Sequence, residues 1–319
     1  MNTEEQMRAV VAHGYGGTDV LGTVTVPLPE PGPGQVRIRV EAATVNPVDL
    51  ATRSGALVEA GLMAARERTG IGWDVAGVVD GVGAGVTAFA PGQRVIGLRD
   101  LLDVSLGAYA GHLVLDAVAV APAPPGVDAV AAATLPLNGL TALQSLDLLG
   151  LSAGDSLLVT GAAGAVGGFA VEIAARRGLR VVAQAGAADE EFVRGIGAEW
   201  TVDRAAEDLA AEVRRLVPGG VDAALDTAGS GIRALAAVRT GGAHATVVGG
   251  AAPVPLRGIR VHQHWIRADG AALAELAALK LTLRVADVLP LEHAAEAHLR
   301  VAKGGLRGRL VLVPDPGAA

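Results

Sequence analysis

Ser156-Leu157-Leu158-Val159-Thr160-Gly161-Ala162-Ala163-Gly164-Ala165-Val166-Gly167-Gly168 is the stretch that decides the fold. An apolar, strand-like run enters a glycine-rich turn. The residues after it change period, so that Val166, Phe169, Ala170, Ile173 and Ala174 share one helical face. Gly178 is placed to cap that helix at its C-terminus. Strand, glycine turn, helix, strand is the context that a dinucleotide-binding motif requires. In that reading Gly161 allows the tight turn, Gly164 lets the backbone approach a pyrophosphate, and Gly167 lets the helix pack closely on the sheet. Amides at the helix start then face the phosphates, helped by the helix dipole. The spacing is GxxGxxG rather than GxGxxG, so the strand and helix context carries the weight. The competing reading is a turn that serves packing alone.

Strand–helix alternation continues downstream. Arg180–Ala183, Trp200–Val202, Ala223–Leu225, Ala245–Val248 and Arg260–Arg267 read as strands with helical segments between them. Repeated β-α units imply a parallel sheet covered on both faces. A helix over Ala271–Leu279, a strand over Leu281–Val285, a helix over Leu291–Ala302 and a strand over Arg309–Val313 follow. Upstream, the first 120 residues are strand-rich: Val36–Val40 alternates apolar and polar, and Val75–Val79, Arg94–Leu98 and His112–Val120 are bounded by Gly or Pro. Ala121-Pro122-Ala123-Pro124-Pro125-Gly126 marks a domain crossing, with helical sequence from Asp128 to Leu149 interrupted near Pro136.

Composition narrows the function. The chain has 319 residues, enough for two domains. It contains no cysteine, which removes disulfides, thiolate nucleophiles and sulfur-based zinc sites. A net charge of −7 argues against nucleic acid. With 51% hydrophobic but 3% aromatic residues, the core must be aliphatic. The longest uncharged run, Ala129–Leu146, holds Pro136, Asn138, Gly139 and Gln144 and makes a poor membrane span. A soluble, cytoplasmic protein is expected. A short-chain dehydrogenase would need a Lys four residues after a Tyr; Asp19 and Leu113 stand there after Tyr15 and Tyr109.

Taken with Asn46-Pro47-Val48-Asp49, Gly72-Trp73-Asp74-Val75-Ala76-Gly77, Gly92-Gln93-Arg94-Val95, Gly139-Leu140-Thr141-Ala142 and Gly305-Leu306-Arg307-Gly308-Arg309-Leu310-Val311-Leu312, the turn resembles the medium-chain dehydrogenase/reductase superfamily. The likeness is to its zinc-independent quinone oxidoreductase branch and covers nearly the whole chain. It implies an α/β fold: a Rossmann doubly wound parallel sheet inserted into a GroES-like β-rich catalytic domain. The expected partition is residues 1–122 and 268–319 for the GroES-like domain and 123–267 for the nucleotide-binding domain.

The resemblance also implies site residues. Asn46 matches the substrate-cleft segment, where an amide can hold a carbonyl. Ala51 stands where some relatives carry a tyrosine acid, leaving Tyr109, His112 or solvent as proton source. Thr141 matches a position near the nicotinamide. The cofactor assignment comprises Thr141, Gly161, Ala162, Ala163, Gly164, Ala165, Val166, Gly167, Gly186, Arg204, Thr227, Val248, Gly249 and Arg309. The second strand ends in Ala183-Gln184-Ala185-Gly186 without the acid that holds NAD ribose, so NADP(H) is favoured. The Ser and Lys that relatives use for the phosphate are absent, and Arg204 is the substitute, with Lys303, Arg307 and Arg309 as further candidates. Zinc relatives use cysteine and a His-Glu pair; here Trp73-Asp74 occupies the latter place, and His262 and His264 alone cannot complete a site. No metal is therefore expected.

These features point to an NADPH-dependent, zinc-independent reductase of a small electrophile, a quinone or an α,β-unsaturated carbonyl. An enoyl reductase of a biosynthetic pathway is the enzymatic alternative, and a nucleotide-binding sensor or structural protein the non-catalytic one. A homodimer is expected, because Arg260–Arg267 would be an exposed edge strand and relatives pair there.

Overall fold

The computed structural model describes residues 5–314. In chain order the N-terminal part comprises β1 (Gln6–His13), β2 (Leu21–Pro27), β3 (Gln35–Val45), α1 (Pro47–Ser54), α2 (Ala56–Glu59), β4 (Arg68–Gly70), β5 (Asp74–Val82), β6 (Arg94–Leu98), β7 (His112–Asp116), β8 (Val120–Pro122) and α3 (Ala129–Ala132). Then follow α4 (Pro136–Leu149), β9 (Ser156–Thr160), α5 (Ala165–Arg176), β10 (Arg180–Ala185), α6 (Glu190–Gly195), β11 (Trp200–Asp203), α7 (Leu209–Leu216), β12 (Val221–Asp226), α8 (Ile232–Ala237), β13 (Val238–Thr246) and β14 (Arg260–Gln263). The chain closes with α9 (Gly270–Ala278), β15 (Val285–Pro290), α10 (Ala294–Lys303) and β16 (Arg309–Val313).

Two compact units result, Met1–Leu137 with Arg267–Ala319, and Asn138–Ile266. The first crossing therefore lies at Leu137–Asn138, not at the proline-rich segment. Pro122 still belongs to β8, which pairs with β6, and α3 packs on β3 and β5 before the chain leaves that unit. The prolines make a turn within the first unit.

In that unit β3 organises a sheet of order β15-β16-β3-β5-β6-β8, with β7 also on β3, and a second sheet has order β2-β1-β4. The alternation of Val36-Arg37-Ile38-Arg39-Val40 is realised: Val36, Ile38 and Val40 enter the core, while Arg37 and Arg39 find acids outside it. The predicted strand Leu281–Val285 starts at Val285 instead. Its register is set by parallel pairing with β16, Val285 opposite Arg309, which leaves Leu281 as a buried residue of the preceding loop.

The second unit is a six-stranded parallel sheet of order β11-β10-β9-β12-β13-β14. All of β9 is buried, which explains why Leu157-Leu158-Val159 run apolar without alternation. The chain turns from one half of the sheet to the other at β9, the position where nucleotides bind in such folds. β13 covers Val238–Thr246 and not Ala245–Val248. Gly241-Gly242 obscured it in sequence, yet glycine is required there: a Cβ on Gly242 would meet the Asp222 carbonyl at 2.4 Å. β14 ends at Gln263, short of Arg267, after which only the His264 amide still bonds to Thr246.

Gly167 sits so close to the turn that a Cβ would lie 2.2 Å from the Gly161 carbonyl oxygen. Gly195, at the end of α6, has open space around it. Gly167→Ala is expected to cost about 1–3 kcal/mol through overpacking against backbone. Gly195→Ala is expected to add about 0.5–1 kcal/mol through helix propensity. Chemical denaturation midpoints with unchanged m-values check both signs.

Candidate active site

The two units supply two separate sets of groups. In the parallel-sheet unit the turn after β9 is held from below. Thr160 Oγ1 donates to the fully buried Asp226 carboxylate at 2.6 Å. That carboxylate also accepts the amides of Ala228, Ser230 and Gly231 at 3.2, 3.0 and 2.7 Å. Thr227 donates its hydroxyl to the Thr160 carbonyl at 2.7 Å, so it locks the ends of β9 and β12 together. Gly161 has φ +59°, and a Cβ there would meet Thr227 Oγ1 at 2.8 Å. The helix ladder begins with the Gly168 amide on the Gly164 carbonyl at 2.9 Å. The amides of Ala165, Val166 and Gly167 therefore lie ahead of the first ladder bond, at the positive end of α5, which suits an anion. Ala162 is anchored by its amide to the Gln184 carbonyl at 3.0 Å.

Gly186 follows β10, and Arg204 follows β11. The Arg204 amide bonds to the Ala185 carbonyl at 2.9 Å, and its guanidinium lies over Gly186: a Cβ there would meet Nε at 3.3 Å. The guanidinium is exposed and has no acid partner among the described residues. Val248 and Gly249 lie just past β13, where the Val248 amide bonds to Thr246 Oγ1 at 3.2 Å. Thr141 lies buried on α4.

In the other unit the sequence segment Asn46-Pro47-Val48-Asp49 starts α1, and Asp49 at its third position accepts the Asn46 amide at 2.7 Å. Asp49 also accepts the Gly72 amide at 3.2 Å and the Tyr109 hydroxyl at 3.2 Å. The Tyr109 hydroxyl lies 3.4 Å from His298 Nε2 of α10, and the two rings meet edge to face at 5.9 Å. Asp74, at the start of β5, accepts the Thr44 amide at 3.0 Å, the Thr44 hydroxyl at 2.5 Å and the Asn46 side-chain amide at 3.2 Å. Thr44, Asn46, Asp49, Asp74, Tyr109 and His298 are all buried.

Burial dominates their titration. It pushes Asp49 up to about 8 against the Asn46 hydrogen bond, with the Asp74 charge adding to the rise. It pushes Asp74 up to about 6 against the Thr44 and Asn46 bonds. Tyr109 moves well above its usual range through burial and the Asp49 charge. Burial pushes His298 down to about 3, and Arg53 adds to the fall.

The structure thus brings Asn46 and Tyr109 together but gives both different tasks from those expected. Asn46 is fully buried and donates its amide to Thr44 and Asp74; it organises a carboxylate cluster. Tyr109 is fully buried, with its proton engaged internally, and does not serve as an accessible acid. His112 is not part of the cluster. It lies on β7 opposite Arg39, with Nε2 3.1 Å from Asp80, and burial lowers its basicity. Arg309 lies on β16, in the GroES-like unit rather than the nucleotide-binding one. Burial depresses its pKa against the attraction of Asp74, Asp49 and Tyr109. Sequence reading missed Asp49, Asp226 and His298. The first was legible as an acid three residues past a helix-capping Asn; the second as an acid ending an apolar strand. Nothing local marked His298.

The alcohol dehydrogenase GroES-like domain family matches residues 32–125, and the zinc-binding dehydrogenase family matches residues 196–312. A solved NAD-dependent alcohol dehydrogenase superposes with TM-score 0.86 at 32% identity, covering 97% of this chain and 100% of that one. The chain belongs to the medium-chain dehydrogenase/reductase superfamily. A chloroplastic quinone-oxidoreductase homologue of Spinacia oleracea is 36% identical over 204 residues, 62% of this chain and 61% of that protein's length. A chloroplastic NADPH-dependent alkenal/one oxidoreductase of Arabidopsis thaliana is 28% identical over 98% of this chain and 81% of its own. The zinc implied by the second family's name does not fit these residues. Asp74 is committed to Thr44 and Asn46, and no group of three His, Cys, Asp or Glu side chains among the described residues is arranged to hold a metal. No helix among the described residues is long and apolar enough to cross a membrane.

The raised Asp49 pKa has a stability consequence. Its folded value of about 8 exceeds the ordinary 3.8, so its stabilisation is complete below about pH 4 and is lost as pH rises towards 8. His298 acts in the opposite sense, with stability present above its ordinary 6.5 and lost as pH falls towards about 3. Between pH 6.5 and 8 the Asp49 effect dominates. Thermal unfolding is expected to show stability falling over that interval, and falling less steeply in Asp49→Asn.

Proposed function

We propose that the chain is an NADPH-dependent, zinc-independent oxidoreductase that delivers hydride to a quinone or an α,β-unsaturated carbonyl. The observation that carries this reading is the unpaired Arg204 guanidinium over Gly186, at the end of a β10 that lacks a ribose-binding acid. A phosphate on the adenosine ribose would find a cation there that has no acid partner among the described residues. The Gly161–Gly167 turn and the first amides of α5 would hold the pyrophosphate, and Thr227, Val248, Gly249 and Thr141 would border the remainder of the cofactor. Bound, the nicotinamide supplies the hydride.

The substrate class follows from what the residues lack. Removing a proton from an unactivated alcohol calls for a Lewis acid or an accessible base. The carboxyls of Asp49 and Asp74 are buried and hydrogen-bonded, and Tyr109 keeps its proton inside the fold. An acceptor that is already electrophilic needs only to be positioned, with solvent providing the proton. The spinach and Arabidopsis relatives support this class. The same chemistry would serve an enoyl thioester. The exposed edge of β14, with Trp265 exposed beyond it, supports a homodimer paired through that strand.

Calorimetric titration of Arg204→Ala is expected to show NADPH binding weakened by about 10- to 150-fold, the value of one charge-assisted contact at roughly 1.5–3 kcal/mol, with NADH unchanged. Equal loss for both cofactors would refute the phosphate assignment. NADPH oxidation across quinones, enones and enoyl thioesters assigns the acceptor, and turnover is expected to survive exhaustive chelation. Activity lost to chelator and restored by zinc would overturn the metal-independent reading.

A further inference from the structure

Asp49, Tyr109 and His298 lie in a single file inside the GroES-like unit, supplied by α1, the segment before β7 and α10. Asp49 Oδ2 is 3.2 Å from the Tyr109 hydroxyl, which is 3.4 Å from His298 Nε2. The central hydroxyl carries one proton and faces two acceptors. It can therefore satisfy only one end at a time, and the other end must donate to it. His298 Nδ1 is buried without a hydrogen-bond partner, so no outer group fixes the tautomer of the ring.

We propose that these three side chains form a reversible hydrogen-bond chain in which ionisation of Asp49 reverses both bonds and moves the His298 proton from Nδ1 to Nε2. With Asp49 protonated, its carboxyl donates to Tyr109, and Tyr109 donates to the bare Nε2; the imidazole proton sits on Nδ1. On ionisation the Asp49 proton passes to Tyr109, the Tyr109 proton passes to Nε2, and the Nδ1 proton is taken up by bulk water or hydroxide when local opening of the unit admits solvent to that nitrogen. One proton leaves in net, and the imidazole stays neutral throughout. The Asn46 amide bond to Oδ2, at 2.7 Å, survives in both states, because a protonated carboxyl oxygen keeps a lone pair for it.

The surroundings allow the switch to operate near neutrality. The charged and titratable groups facing Asp49 are Asp74 from β5 and Arg309 from β16; the one facing His298 is Arg53 from α1. Burial lifts Asp74 to about 6, below Asp49 at about 8. The chain joins α1 to α10, while the Asn46 amide bond that starts α1 is common to both directions. It does not depend on which acceptor the protein reduces.

Side-chain nitrogen NMR on the full-length protein tests this, with the His298 signals assigned by their loss in His298→Gln. The expected result is a proton on Nδ1 at pH 6 and on Nε2 at pH 9.5, with a midpoint that matches the Asp49 carboxyl carbon titration in the same sample. Asp49→Asn should hold one tautomer across the range. A single tautomer in the wild type across the range, or a tautomer midpoint separate from that of the Asp49 carboxyl, would overturn the proposal. Both wild-type readouts stand even if Asp49→Asn fails to fold.

Discussion

The carbonyl of Gly161 and the α-carbon of Gly167 approach so closely that no side chain fits between them. That contact seats α5 directly on the end of β9. Its first amides point past the turn only because the helix comes this near. The left-handed conformation of Gly161 makes the approach possible. Buried Asp226 keeps it in register by collecting donors from β9 and from the loop after β12. Widening the gap by one methyl group would move an entire helix N-terminus away from the ligand it is built to receive.

The sheet and its nucleotide-binding turn were legible in the sequence because both depend on local chemistry. Glycine spacing, apolar strands and helical period are read within a few residues of one another. The errors came where a distant partner decides. β15 takes its register from β16, and β13 runs through Gly241-Gly242 because it lies against β12. The proline-rich segment was read as a crossing, yet β6 keeps Pro122 in the first unit.

The candidate site divides along the same line. The Gly186–Arg204 juxtaposition was inferred from a missing acid at a strand end, and parallel pairing of β10 with β11 produces it. Tyr109 was expected to be an accessible acid because identity and motif do not report burial. Tyr109 is turned inward by a close approach to Gly72, where a Cβ would meet its ring at 2.4 Å. His298 lies far along the chain from Asp49, and only the packing of α10 on α1 brings them together.

A chain this rich in small aliphatic residues has few side chains with which to do chemistry, and the two units answer that shortage differently. The parallel-sheet unit presents backbone: amides at a helix start, a glycine turn and one unpaired guanidinium. Backbone amides do not titrate near neutrality, so their part in holding an anion does not change with pH. The GroES-like unit instead gathers its polar side chains into the interior, where low dielectric amplifies every charge. Two carboxyls, a phenol and an imidazole there all depart from their ordinary titration through burial. Burial sets titration in the parallel-sheet unit as well, where it lowers the pKa of His244 and His264, so both units carry pH-responsive groups while the anion-holding turn does not.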